Sequence, residues 1–188
     1  TIQTKVPRAA FTWVTAKYKE HFTIPVVTSN RINTPEVAEQ VLQNGDADMI
    51  SMARPFLADA EFVNKAAEGR SDEINTCIGC NQACLDHVFS GKMSSCLVNP
   101  RACHETEINI IPTKSIKKIA VVGAGPAGLS AATALAQAGH EVTLFDGESQ
   151  VGGQFNIAKQ IPGKEEFDET IRYYSRQLTL TGVTVKLN

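Results

Sequence analysis

Residues 118–128 read KIAVVGAGPAG, an apolar stretch that runs directly into the pattern G-x-G-x-x-G. The alanine-rich residues 129–138 predict a helix that ends at Gly139. Residues 141–146, EVTLFD, predict a second strand with an acid, Asp146, at its end. A strand, a glycine turn, a helix, a second strand and an acid in this order predict the start of a Rossmann-like domain. A merely structural glycine turn is the weaker alternative.

Each part of this motif has a role in binding a dinucleotide. Glycines such as Gly123, Gly125 and Gly128 allow the tight turn and close backbone approach, and the helix N-terminus attracts a pyrophosphate. Asp146 can accept hydrogen bonds from ribose hydroxyls, which suits FAD or NAD and disfavours the 2′-phosphate of NADPH in this loop. Residues 152–154, Gly-Gly-Gln, predict a further close-approach turn, with an ordinary surface turn as the alternative.

Upstream, four of the five cysteines follow the pattern C-x2-C-x3-C-x11-C, at Cys77, Cys80, Cys84 and Cys96. Three closely spaced thiolates and a distant fourth are typical of a cubane 4Fe-4S cluster. A zinc ribbon would need a second C-x-x-C knuckle, and a disulfide framework would leave one cysteine unpaired. The pattern therefore favours an iron–sulfur cluster, with structural zinc and disulfides as alternatives. The fifth cysteine, Cys103, is interpreted as a buried or idle thiol near the cluster, with a reactive pair of Cys103 and His104 as the alternative.

Composition limits the class of protein. The chain has 188 residues, of which 43% are hydrophobic and 20% charged, with a net charge of −2, as is ordinary for one or two soluble domains. Neither nucleic acid nor an anionic membrane is indicated as a partner. The longest apolar run, residues 119–129, is far shorter than a membrane span. The thiol-rich sequence favours a reducing, cytoplasmic setting.

The first 71 residues alternate predicted helices and strands. In chain order these are a helix at 11–22, a strand at 24–28, a helix from Thr34 to Asn44, a strand at 48–52, a turn at Arg54 and Pro55, and a helix at 59–68. This alternation predicts an α/β fold with a parallel sheet, in a doubly wound sheet or a (β/α)8 barrel. Two such units cannot close a barrel, so we expect an internal fragment of a longer protein, with a compact domain that has unusual termini as the alternative.

Two arginines follow the predicted strands. Arg31 and Arg54 each lie just past a strand end, which in a barrel places them at the C-terminal face, where loops commonly hold a phosphate. A guanidinium can bind a phosphate through two parallel hydrogen bonds. Two solvated surface arginines are the alternative.

Near the other end of the chain, a helix at 164–178 carries an apolar stripe that predicts core packing rather than a site.

These motifs together carry a resemblance to a known family. The cysteine segment at 77–86, residues 96–101, and the glycine motifs at 123–128 and 152–154 closely resemble the NADH:flavin oxidoreductase family related to old yellow enzyme. Within that family they resemble the bacterial NADPH-dependent 2,4-dienoyl-CoA reductases. Residues 11–15, 30–33 and 51–56 are also similar to the end of that family's flavin barrel, and the resemblance covers essentially the whole chain.

The resemblance implies an electron relay from NADPH through FAD and the cluster to FMN, which reduces a 2,4-dienoyl-CoA. By position, Arg31, Ala53 and Arg54 would contact FMN, the four cysteines named above would bind the cluster, and an FAD site would be lined by Gly123, Gly125, Gly128, Asp146 and Gln154. The family's substrate-protonating residues and its NADPH-binding insertion match nothing in these residues, so no catalytic residue is predicted. Related enzymes that act on other enoates or on amines, and a non-catalytic electron-transfer module, are the alternatives.

The resemblance also implies four segments. Residues 1–71 are predicted to be the C-terminal part of a (β/α)8 FMN barrel and residues 72–104 the iron–sulfur segment. Residues 105–116 are predicted to be a linker, and residues 117–188 the N-terminal half of a Rossmann-like FAD-binding domain.

Overall fold

A computed structural model describes residues 2–188 of the chain, which divides into two units, Thr1–Cys103 and His104–Asn188. The first unit contains two parallel strands, β1 and β2, and the helices α1 to α5. The helices are α1 (Thr12–Lys19), α2 (Pro35–Gln43), α3 (Arg54–Ala58), α4 (Phe62–Ala67) and α5 (Leu85–Phe89), with a 3-10 turn at Ser71–Glu73. β1 (Val27–Thr28) pairs with β2 (Met49–Ile50), with Val27 opposite Met49. The expected α/β pattern with a parallel sheet is therefore present.

Helix α2 begins and ends where the sequence predicts. The Thr34 hydroxyl accepts a hydrogen bond from the Val37 N–H at 3.4 Å, and Pro35, which has no N–H to leave unpaired, occupies the first turn. The chain leaves the helix through Asn44 and Gly45, whose φ of 76° suits glycine. The helix packs against a small core, formed by Ile32, Val41 and Ala47.

Two local predictions in this unit are wrong. Arg54 and Pro55 were expected in a turn, but they begin α3, because a proline fits the first turn of a helix. Asp59 was expected inside a helix, but it lies between α3 and α4 with an extended backbone. Its buried carboxylate instead accepts hydrogen bonds from Lys65 Nζ at 2.7 Å and from the Asn75 N–H at 2.8 Å.

The second unit is a three-stranded parallel sheet in the order β3-β4-β5. It contains β3 (Lys118–Val122), α6 (Pro126–Gln137), β4 (Glu141–Phe145), α7 (Phe155–Ala158), α8 (Phe167–Thr181) and β5 (Thr184–Lys186). The β3 and β4 register pairs Lys118 with Glu141 and Val122 with Phe145. Its core is apolar and comprises Ala124, Leu129, Ala132, Val142, Leu144, Leu178 and Val183.

Helix α8 lies later than the sequence predicts. It begins at Phe167 instead of residue 164 and continues past Leu178 to Thr181, where Gly182 ends it with a φ of 72°. The predicted core stripe is present, since Leu178 is buried and Tyr174 packs against the core. None of the helices among residues 2–188 is long and apolar enough to cross a membrane.

Candidate cofactor sites

The four cysteines of the predicted cluster line one cavity. Cys77, Cys80, Cys84 and Cys96 border an empty space of about 290 Å³ that includes its opening to solvent. The remaining lining is mostly apolar and consists of Arg54, Leu57, Ile78, Asn81, Leu97 and Val98. Cys103 is exposed and lies outside this lining. The structure thus brings together thiols separated by up to 19 positions in the chain.

Side-chain amides hold the segments that carry these thiols. Asn33, which follows β1, donates from Nδ2 to the Cys77 carbonyl at 2.8 Å. Asn75 donates from Nδ2 to the Val98 carbonyl at 2.8 Å, which ties the first cysteine segment to the segment of Cys96. Both amides are buried, so these bonds fix the backbone near the cavity. Neither residue was predictable as a cavity support, because each bond spans more than 20 positions of the chain.

The donor set suits a cluster better than a single ion. All five cysteines are free thiols, and among residues 2–188 no three or more His, Cys, Asp or Glu side chains are gathered closely enough to hold one metal ion. Four thiols around a shared space are the ligand set of a 4Fe-4S group, in which each sulfur binds a different iron. The residues present therefore fit such a cluster.

Burial disfavours ionisation of three of these thiols, so a nearby positive charge would be needed to keep them as thiolates. Burial raises the pKa of Cys77 and Cys80, and it raises the pKa of Cys96 to about 11. For Cys77 a backbone hydrogen bond from Gly79 and then the Arg54 charge oppose this rise. Bound iron is the kind of positive partner that would keep such thiols deprotonated.

A glycine allows the first cysteine segment to pass close to its neighbours. Gly79, between Cys77 and Cys80, has a φ of 65°. A Cβ at this position would lie 3.2 Å from Arg31 Nη1 and 3.2 Å from the Thr4 backbone. A side chain here would be strained by its conformation and crowded by these atoms, so the tight C-x-x-C turn requires glycine.

A second cavity lies at the carboxyl ends of β1 and β2. It encloses about 300 Å³ of empty space, including its open side, and is lined by residues 29–32 and 51–55. Both predicted phosphate-binding arginines, Arg31 and Arg54, belong to this lining, as does Ala53. The ends of parallel strands commonly hold ligands in α/β folds. This space is the strand-end cavity.

The two arginines of the strand-end cavity are not solvated surface residues. Arg31 is 5% exposed, and its Nε donates to the Val6 carbonyl at 2.7 Å. Arg54 is half-buried, and its Nη1 donates to the Ile2 carbonyl at 3.0 Å and to Asn81 Oδ1. These bonds fix both guanidiniums beside the cavity. The alternative of two freely solvated arginines is therefore wrong for this structure.

The glycine motif of the second unit brings two turns together. A Cβ at Gly128 would lie 1.8 Å from the Gly123 carbonyl oxygen, so helix α6 can pack on the turn only without a side chain there. The Gly152 N–H donates to the Ala124 carbonyl at 2.8 Å. A Cβ at Gly153 would lie 2.9 Å from Gly125 Cα. The predicted site glycines thus meet the predicted close-approach turn, and the two backbones pack closely because neither carries a side chain there.

Asp146 lies at the end of β4, beside this glycine turn. Its carboxylate accepts hydrogen bonds from the Ala124 N–H at 2.5 Å and from the Glu148 N–H at 2.9 Å, and these bonds lower the pKa of Asp146. The charged carboxylate is thereby fixed in place at neutral pH. Gln154, the last predicted residue of this site, is exposed and precedes α7.

Comparisons with known proteins find a family match in each of the two units. Residues 1–73 match the NADH:flavin oxidoreductase / NADH oxidase family, and residues 121–180 match the NAD(P)-binding Rossmann-like domain. The chain therefore combines a segment similar to the NADH:flavin oxidoreductase family with a segment similar to the NAD(P)-binding Rossmann-like domain. Members of that family are flavin oxidoreductases.

Individual relatives resemble almost the entire chain. A metal reductase of Desulforamulus reducens is 48% identical over 88% of this chain and 25% of its own length. A cinnamate reductase of Clostridium sporogenes is 34% identical over 88% of this chain and 25% of its own length. The solved structure of a 2-naphthoyl-CoA reductase in complex with 2-naphthoyl-CoA superposes on this chain with a TM-score of 0.96 at 35% identity. The superposition covers 100% of this chain and 29% of the reductase chain. The chain thus spans about a quarter of the length of these relatives.

Proposed function

We propose that this chain carries the electron-relay part of an NADPH-dependent oxidoreductase that reduces 2,4-dienoyl-CoA thioesters. The observation that carries the proposal is the gathering of four cysteine thiols around one cavity, next to a strand-end cavity lined by two fixed arginines. Bound FAD and FMN would exchange one or two electrons and a 4Fe-4S cluster one electron at a time, which is the chemistry that a relay needs.

The residues of the chain would hold these groups. Cys77, Cys80, Cys84 and Cys96 would bind the cluster, and the apolar side chains around them would exclude water from it. Arg31 and Arg54 would bind the FMN phosphate through charge-assisted hydrogen bonds, with the exposed Ala53 leaving the cavity open between them. Low exposure and fixed geometry reduce the cost of ordering these side chains when a ligand binds.

In the second unit, the glycine turn would bind FAD. Gly123, Gly125 and Gly128 would let the pyrophosphate approach the N-terminus of α6, and Asp146 would accept hydrogen bonds from the adenosine ribose. Asp146 is already charged and oriented by the Ala124 N–H, so ribose binding needs little rearrangement. Gln154, exposed next to the Gly152–Gly153 turn, would contact the FAD.

One solved relative supports a thioester substrate. The solved relative holds 2-naphthoyl-CoA, an aromatic acyl-CoA, and a second relative is named for cinnamate, a conjugated acid. A 2,4-dienoyl-CoA shares the thioester of the first and the conjugation of the second. The 48% identity to a metal reductase supports a second candidate, in which electrons pass to an external metal acceptor.

The substrate proposal is tested by anaerobic turnover. We expect the whole protein, loaded with both flavins and iron, to oxidise NADPH in the presence of 2,4-hexadienoyl-CoA and to yield an enoyl-CoA detectable by mass spectrometry. Cinnamate and ferric citrate serve as comparison electron acceptors. Faster NADPH oxidation with ferric citrate than with the thioester would favour the second candidate and contradict dienoyl-CoA reduction.

The FMN assignment predicts a selective loss of one flavin. Arg54→Ala is expected to weaken FMN binding by about 1.5–3 kcal/mol, the usual worth of a hydrogen bond to a charged group, while FAD content stays unchanged. Chromatography of the released flavins and titration of FMN fluorescence measure the two effects separately. Equal loss of both flavins would indicate general unfolding, and unchanged FMN affinity would place the phosphate elsewhere.

A further inference from the structure

One arginine lines both the cysteine cavity and the strand-end cavity. Arg54 lines the cysteine cavity and also the strand-end cavity, whereas Arg31 is among the lining residues of the second only. Arg54 also donates to Asn81 Oδ1, and Asn81 lies between Cys80 and Cys84 in the chain. Arg54 is thus the cationic residue that the thiol-lined cavity and the strand-end cavity share.

We propose that Arg54 couples the two sites electrostatically, so that a phosphate group bound in the strand-end cavity lowers the reduction potential of the cluster held by the four cysteines. The inference rests on the proposed function, since it takes the thiols to hold a cluster and the arginines to hold the FMN phosphate. It adds that the two sites share one cation and therefore influence each other.

The direction of the effect follows from charge. A cluster on four thiolates gains one negative charge when it takes one electron from a reductant such as dithionite, and no bond in the chain is made or broken. A neighbouring cation stabilises that added charge and raises the reduction potential. A bound phosphate carries close to two negative charges at neutral pH and offsets the cation, so reduction becomes harder.

The surroundings let this effect act over a short range with little screening. Arg54 is half-buried, and the walls of the cysteine cavity are largely apolar. Salt screens charges in such surroundings much less than on an open surface.

Thermodynamic linkage makes the coupling reciprocal. If FMN lowers the potential of the cluster, then reduction of the cluster weakens FMN binding by the corresponding factor. A tenfold weaker FMN affinity in the reduced state corresponds to a potential lower by about 59 mV for a one-electron couple. The same quantity can therefore be measured as a potential or as an affinity.

The test is a redox titration of the whole protein, with the reduced cluster followed by EPR. FMN-free protein is titrated alone and then with FMN, with inorganic phosphate, or with riboflavin, which lacks the phosphate. We expect FMN and inorganic phosphate to lower the potential and riboflavin to leave it nearly unchanged. A shift of equal size with riboflavin would assign the effect to the flavin ring and overturn the proposal.

Variants assign the effect to one side chain. Arg54→Gln is expected to lower the potential of FMN-free protein and to abolish the further shift by FMN or phosphate, whereas Arg54→Lys, which keeps the charge, should retain a shift. Arg70→Gln is the matched control, because Arg70 loses the same charge but lines neither cavity and pairs with Glu68 and Glu73. If Arg54→Gln no longer binds FMN, the potential of the FMN-free variant still decides the question.

The outcomes separate this inference from the function on which it rests. A cluster signal with one potential in all four wild-type titrations would overturn the coupling and leave the relay intact. A phosphate-induced shift that survives in Arg54→Gln would overturn the role of Arg54. Absence of any cluster signal from reconstituted wild-type protein would overturn the proposed function itself.

Discussion

Replacing Cys84 by serine is expected to abolish the iron–sulfur chromophore of the protein. Wild-type protein reconstituted anaerobically should be brown, contain about four irons per chain, and bleach with dithionite. Cys84 is the one buried thiol of the four, and a serine oxygen is a poorer iron ligand than a thiolate. The variant should therefore lose most of its iron and its visible absorbance. Metal analysis and absorbance spectra measure both.

The matched control is Cys103→Ser, which removes a thiol outside the cysteine cavity. This variant should keep wild-type iron content and colour. Circular dichroism of both variants shows whether the fold is retained. A colourless wild-type protein with one tightly bound zinc, or equal iron loss in both variants, would contradict the assignment of the four cysteines.

Features that depend on neighbouring residues were predictable from the sequence. The glycine turn is an example, because the contact that requires Gly128 is to Gly123, five positions away. The start of α2 at Thr34 and Pro35 is another, since a cap acts within one helical turn. Strand β3 also has the bounds that its apolar run predicts.

Features that depend on distant partners were less predictable. The strands predicted at 24–28 and 48–52 shrink to two residues each, because β-structure exists only where a neighbouring strand supplies the hydrogen bonds. Ile24, apolar and predicted to lie in a strand, is 68% exposed. Among the described residues, β1 and β2 pair only with each other. Most residues of the two predicted strands therefore have no neighbouring strand and are not β-structure.

The same reason explains what was missed at the site. The order of the cysteines predicted a shared bound group. Two supporting hydrogen bonds were not predictable from nearby residues: the bond from Asn33 to the Cys77 carbonyl, and the bond from the Asn75 N–H to the Asp59 carboxylate. The position of Arg54 next to both cavities was equally hidden, because it depends on how the cysteine segment folds back over α3. Polar side chains that support a site across long sequence separations become visible only in the structure.

The central claim is that electrons pass between the flavins by way of the group bound to the four cysteines. Its most direct test is anaerobic stopped-flow absorbance of the whole protein carrying Cys80→Ala, once the variant is shown to be folded and to retain both flavins. NADPH is expected to reduce FAD at a near wild-type rate, while FMN stays oxidised and 2,4-hexadienoyl-CoA is not consumed. FMN reduced chemically should still convert one equivalent of substrate, because this substitution leaves the strand-end cavity intact. Rapid NADPH-driven reduction of both flavins in Cys80→Ala would show that electrons bypass the cysteines and would contradict the account.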